Sequence, residues 1–96
     1  MRIFQENDIK SAKFVIAQLK IALGNKFEKT IMYDSFLEKC IKSRDYVSSV
    51  SWIIRYFHEL NIVECEFNCH EQYIYKVRLN KERLDEAYEY YKCINL

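Results

Sequence analysis

Between Asn61 and Val63 the spacing of apolar residues changes from a helical period to a strict alternation. Upstream, Val47, Val50, Ile53 or Ile54, Phe57 and Leu60 recur every three or four residues, which predicts a helix over about 46–60 with one buried face. Downstream, Val63-Glu64-Cys65-Glu66-Phe67 alternates apolar with acidic residues, and every odd position from Tyr73 to Leu79 is apolar or aromatic. Alternation of that kind marks half-buried strands, with Asn68 to Gln72 as the connecting loop. A chain with this switch must bring a helix and a hairpin onto one core, so its class is α+β. Face matching predicts pairs Phe67 with Tyr73, Cys65 with Tyr75 and Val63 with Val77, all odd residues inward. Glu64 then opposes Lys76. Asn61 tolerates the left-handed conformation in which helices commonly end.

The rest of the chain supplies helices for that core. Ile9, Ala12, Val15, Ile16, Leu19, Ala22 and Leu23 predict a first helix over residues 8–23, capped by Asp8 or Asn7 and closed by Gly24. Phe14 and Ile21 widen its apolar surface, which predicts packing against two elements. Thr30, Ile31 and Met32 suit a very short strand. Asp34 is placed to cap a second helix carrying Phe36, Leu37, Cys40 and Ile41. Ser43 and Asp45 then mark a break and a new start before the helix over 46–60. Asn80 is placed to cap a last helix over residues 81–96, with Leu84, Ala87, Tyr88 and Tyr91 as its apolar stripe. The 96 residues make one domain, with 7–80 as its core and 81–96 as an appended helix.

Composition narrows the function. Half of the residues are hydrophobic, which is a globular balance. No apolar run approaches the roughly 20 residues of a membrane span, and the first ten residues lack the apolar centre of a secretory signal, so an intracellular setting is expected. Net charge is only +1, but residues 1–61 hold ten basic against seven acidic side chains, and residues 62–96 hold five against seven. Lys39, Lys42, Arg44 and Arg55 face a single acid, Asp45, between positions 39 and 55. Such a local basic patch suits phosphate. Cys40, Cys65, Cys69 and Cys93 include no CxxC pair, so four ordinary thiols are expected and no metal or cofactor. Two alternatives are weaker: a disulfide within or between chains using Cys93 or Cys69, and, behind it, a zinc site of Cys65, Cys69 and His70 completed by Cys93 or His58. There is no phosphate-binding glycine loop, HExxH or GxSxG, and neither histidine has a nucleophile or acid at a meaningful spacing, so an enzyme is not expected.

The order helix, strand, helix, helix, strand, strand, helix, together with the segment from Thr30 to Val63, resembles winged-helix DNA-binding domains such as small archaeal and viral transcriptional regulators. The carrying residues are the capped helix after the short strand, the Ser-rich turn, Val50, Ile54 and Phe57, and then Asn61 followed by Ile62 and Val63. Asn61 stands where that family usually has glycine, and the wing bears Glu64, Glu66 and Glu71. The resemblance implies a winged helix-turn-helix with an extra C-terminal helix. It also implies that the helix over 46–60 reads the major groove of double-stranded DNA.

On that reading Lys39, Lys42, Arg44, Tyr46, Ser48, Ser49, Ser51, Trp52 and Arg55 are the expected DNA-binding residues. Small hydroxyls permit close approach, and arginine suits guanine or phosphate. Leu84, Ala87, Tyr88 and Tyr91 are the expected homodimer interface, with no small-molecule substrate. The alternative is a protein–protein interaction module on the same scaffold, favoured by the near-neutral charge, the acidic wing and the aromatic surface.

Overall fold

A computed structural model of the chain describes residues 6–43, 47–68, 70 and 73–94. Its elements in order are α1 (Glu6–Leu23), β1 (Glu28–Met32), α2 (Tyr33–Ser43), α3 (Val47–Glu59), β2 (Glu64–Asn68), β3 (Tyr73–Asn80) and α4 (Lys81–Lys92). The strands form one antiparallel sheet in the order β1-β3-β2. This is an α+β fold whose layout is compatible with a winged-helix arrangement. No helix among the described residues is long and apolar enough to cross a membrane.

Helix ends follow local chemistry. Gly24 takes φ 65° and returns its N–H to the carbonyl of Lys20 at 3.0 Å, a left-handed stop that a side chain would strain. Asn61 does the same work at the end of α3 with φ 61°. Its N–H bonds the His58 carbonyl at 3.1 Å, and the Ile62 N–H bonds that of Phe57 at 2.9 Å. This is a complete Schellman closure, and it turns the chain directly into β2. Asn80 caps α4, its side-chain oxygen accepting from the Arg83 N–H at 3.1 Å. Asp34 lies one residue inside α2, in its first turn, and not at its cap.

The core lies between the helices and the inner sheet face. Val15, Ile16 and Leu19 of α1, Val50, Ile53, Ile54 and Phe57 of α3, Val77 and Leu79 of β3, and Leu84 of α4 are all fully buried. Both Ile53 and Ile54 are inside. Three expected core residues are not: Leu60 is 50% exposed just past α3, and Ile41 and Ile21 also face solvent. β1 is two residues longer than expected, because Glu28 and Lys29 pair with Asn80 and Leu79.

The hairpin departs from the expected register. Cys65 lies opposite Val77, Glu64 opposite Arg78 and Glu66 opposite Lys76. Past Glu66 the register shifts, so that Phe67 meets Ile74 and Asn68 meets Tyr73. Tyr75 is the extra residue on β3. A bulge of this kind flips the faces of everything beyond it. Ile74 is therefore buried, while Tyr73 (63% exposed) and Tyr75 face solvent, contrary to an all-odd inner face.

Candidate nucleic-acid interface

The buried face of α3 determines what remains outside. With Val50, Ile53, Ile54 and Phe57 turned inward, the 3.6-residue period leaves positions 48, 52, 55 and 59 on the opposite side. Arg44 and Tyr46 lie outside the described residues, and the side chains of Ser48 and Ser49, in the first turn of α3, also lie outside them.

Of the other expected contact residues, three on α3 are engaged within the fold. Ser51 Oγ and the Tyr33 hydroxyl form a hydrogen bond at 2.7 Å that ties the start of α2 to α3. Burial raises the Tyr33 phenol above its ordinary value, and the bond from Ser51 works in the other direction. Trp52 is half-buried against the core, its ring edge-on to Tyr56 at 6.3 Å. Arg55 is half-buried too, its guanidinium 5.1 Å from the centre of the Phe67 ring. Ser51 and Trp52 are thus less outward than helical spacing alone predicts, because α2 and the neighbouring aromatic ring reach around the side of α3. Lys39 and Lys42 are exposed on α2, and Lys42 makes a surface pair with Glu38 at 3.6 Å.

His58 was not legible as a junction residue. Its Nδ1 accepts the backbone N–H of Cys65 at 3.1 Å, and its ring meets Phe67 edge-on at 5.4 Å. Phe67 therefore has Arg55 and His58, one turn apart on α3, against a single ring. Beside it, burial pushes the Cys65 thiol up to about 11, with Arg55 drawing it down. No local motif signals this junction, since its two halves come from different elements.

The outer face of the sheet is polar. Arg78 reaches Glu28 at 3.4 Å and Glu64 at 3.7 Å, and Arg83 reaches Glu64 at 3.6 Å. The wing acid Glu64 is thus committed to arginines of the same chain.

The stripe expected to pair two copies is covered within one chain. Leu84, Ala87 and Tyr91 are buried and Tyr88 is half-buried as α4 packs along α1, so intrachain packing uses this surface. The adjoining flank of α4 borders a groove of about 500 Å³ toward the end of α3, lined by Ile9, Leu60, Ala87, Tyr90, Tyr91 and Ile94 among others. Tyr90 is 65% exposed there.

Cys40, Cys65 and Cys93 are free thiols, and Cys69 lies outside the described residues. Among the described residues, no three metal-binding side chains come together. Comparison with family models, with curated proteins and with solved structures finds no match to this chain.

Proposed function

We propose that this chain is a winged-helix DNA-binding protein that enters the major groove with the first half of α3. The reading rests on one observation: α3 follows α2 across a short break, buries a full apolar face, and is closed by Asn61 straight into a β2–β3 hairpin beside it. In a winged helix that order presents the first half of the second helix to the duplex, and the exposed Lys39 and Lys42 of α2 precede it here. Glu59 lies at the outward carboxy-terminal end of α3, so the favourable half for phosphate is the first half. Regulation of transcription by a homodimer is part of the proposal, with two copies of α3 spaced by one turn of duplex, about 34 Å. Since α1 covers Leu84, Ala87 and Tyr91, such a dimer would use the Leu60 and Tyr90 side of α4.

A second reading, a protein-binding module on the same scaffold, is favoured by that groove, whose exposed Leu60 and Tyr90 suit an apolar partner.

Selection from a random duplex pool, followed by titration of the enriched site at several salt concentrations, separates the two. DNA binding predicts an enriched site and affinity falling steeply with salt. Replacing Lys39 and Lys42 together by alanine should flatten that salt slope by about two phosphate contacts. No enriched site and no salt-dependent duplex binding would leave the protein-binding reading.

A further inference from the structure

At the junction between α3 and β2 an imidazole accepts a backbone N–H. His58 Nδ1 is the acceptor for the Cys65 N–H, so this nitrogen carries no proton and the ring is neutral, with its hydrogen on Nε2. The N–H it receives belongs to β2, an outer strand of the three-stranded sheet. Edge strands leave backbone groups without a strand partner, and here the imidazole supplies one.

Protonation would convert Nδ1 from acceptor to donor, leaving two donors face to face. The groups around the ring give an imidazolium no compensation. Arg55, one turn earlier on α3, already lies over the Phe67 ring that His58 touches. From β2 the titratable neighbour is the Cys65 thiol, held protonated by burial. The Tyr33 phenol of α2 lies within electrostatic range of that thiol and is also held neutral by burial. Glu64 and Glu66 alternate to the other face of the sheet, where Arg78 and Lys76 are their cross-strand partners. Among the described residues no carboxylate pairs with His58.

We infer that His58 is a pH-dependent latch, neutral and closed on the Cys65 N–H above its titration and open below it, so that acid loosens β2 from α3 while the helical core stays intact. The latch stands on this geometry alone and does not depend on what α3 binds.

Nuclear magnetic resonance on the whole chain tests it. At pH 8 the His58 imidazole should show an unprotonated Nδ1 and a protonated Nε2. As pH falls from 8 to 5, the protection of the Cys65 amide, corrected for intrinsic exchange, should drop about tenfold in step with the His58 titration, the loss of one hydrogen bond. The Val15 amide in α1 should hold its protection. In His58→Gln, whose side-chain oxygen accepts at every pH, the step at Cys65 should vanish. Should that variant not fold, the wild-type profile decides alone. A protonated Nδ1 at pH 8, a Cys65 protection that ignores the His58 titration, or a step that persists in His58→Gln would each overturn the latch.

Discussion

The last helix and the outer strand of the hairpin, β2, both dock on the same helical body, and they do so by different means. α4 lies along α1 with Leu84, Ala87 and Tyr91 buried, and Tyr91 also meets Phe57 of α3 at 5.9 Å. Cations close its rim. Lys20 of α1 pairs with Asp85 at 3.2 Å and lies 4.2 Å over the Tyr88 ring, and Lys13 Nζ donates to the Ile94 carbonyl at 2.7 Å. β3 of the hairpin buries Ile74, Val77 and Leu79 in the same core, but its outer strand β2 meets α3 through one backbone-to-imidazole bond and the half-buried Cys65 and Phe67. Apolar burial scales with area and is indifferent to mild changes of pH, whereas a polar junction is short, directional and titratable. α4 and β3 thus belong to the structural body, and β2 is the element whose attachment can respond to conditions.

The largest effect that bears on this contrast is expected at Leu84. Leu84→Ala removes a fully buried side chain from the α1–α4 seam and should cost about 2–5 kcal/mol. For a domain of this size that is on the order of 10–30 °C in Tm, read by thermal denaturation. Phe67→Ala, at the half-buried hairpin junction, should cost clearly less. Equal losses would break the contrast between the two junctions.

Alkaline pH should separate the junctions next. The Cys65 thiol is pushed up from 9.0 to about 11 by burial, as is Cys40 in the core, and the Tyr91 phenol from 10.0 to about 12. Each folded value lies above the unfolded one, so the unfolded chain loses its proton first and rising pH draws the equilibrium toward it. The stability these groups contribute is complete below their unfolded values and lost as pH climbs through the folded ones. Loss from the two thiols, Cys65 at the hairpin and Cys40 in the core, should therefore begin near pH 9 and run to about 11, with the Tyr91 contribution following from 10 to about 12. A Cys40→Ala background isolates the hairpin thiol. Denaturant midpoints measured from pH 8 to 12 should fall in that order. A midpoint flat from pH 9 to 11 would contradict it.

Much of this architecture was legible because local chemistry and tertiary packing agree. The period change at Asn61, the glycine stop at 24 and the cap at Asn80 all mark element ends that the fold uses. What escaped depends on partners distant in sequence. The bulge at Tyr75 leaves no trace in an alternating pattern, yet it reverses Tyr73, Ile74 and Tyr75. Leu60 continues the α3 stripe and is still 50% exposed, at the wall of an open groove toward α4. Of the expected interface, Lys39 and Lys42 are exposed, whereas Ser51, Trp52 and Arg55 are drawn into contacts with Tyr33, Tyr56 and Phe67. Helical spacing states which way a side chain starts, and it cannot state what comes to meet it. The same gap hid His58, whose partner is a backbone N–H on another element.

The smallest effect is expected on the outer face of the sheet, where ion pairs are most numerous. Arg78 joins Glu28 of β1 to Glu64 of β2, and Arg83 of α4 joins the same Glu64. This network spans every strand and would seem to pin the hairpin from outside. Its members are all around half exposed, however, and at separations of 3.4 to 3.7 Å. Exposed pairs of this kind contribute about 0–1 kcal/mol each, and salt screens them further. Arg78→Ala should therefore cost at most about 1 kcal/mol in low salt, and the difference from wild type should shrink in 0.5 M salt, on the order of a 4 Å Debye length. A loss comparable to that of Leu84→Ala, unaffected by salt, would mean that the hairpin is held from its solvent face by a cooperative network. In that case the junction at His58 would no longer be what governs how firmly the hairpin sits.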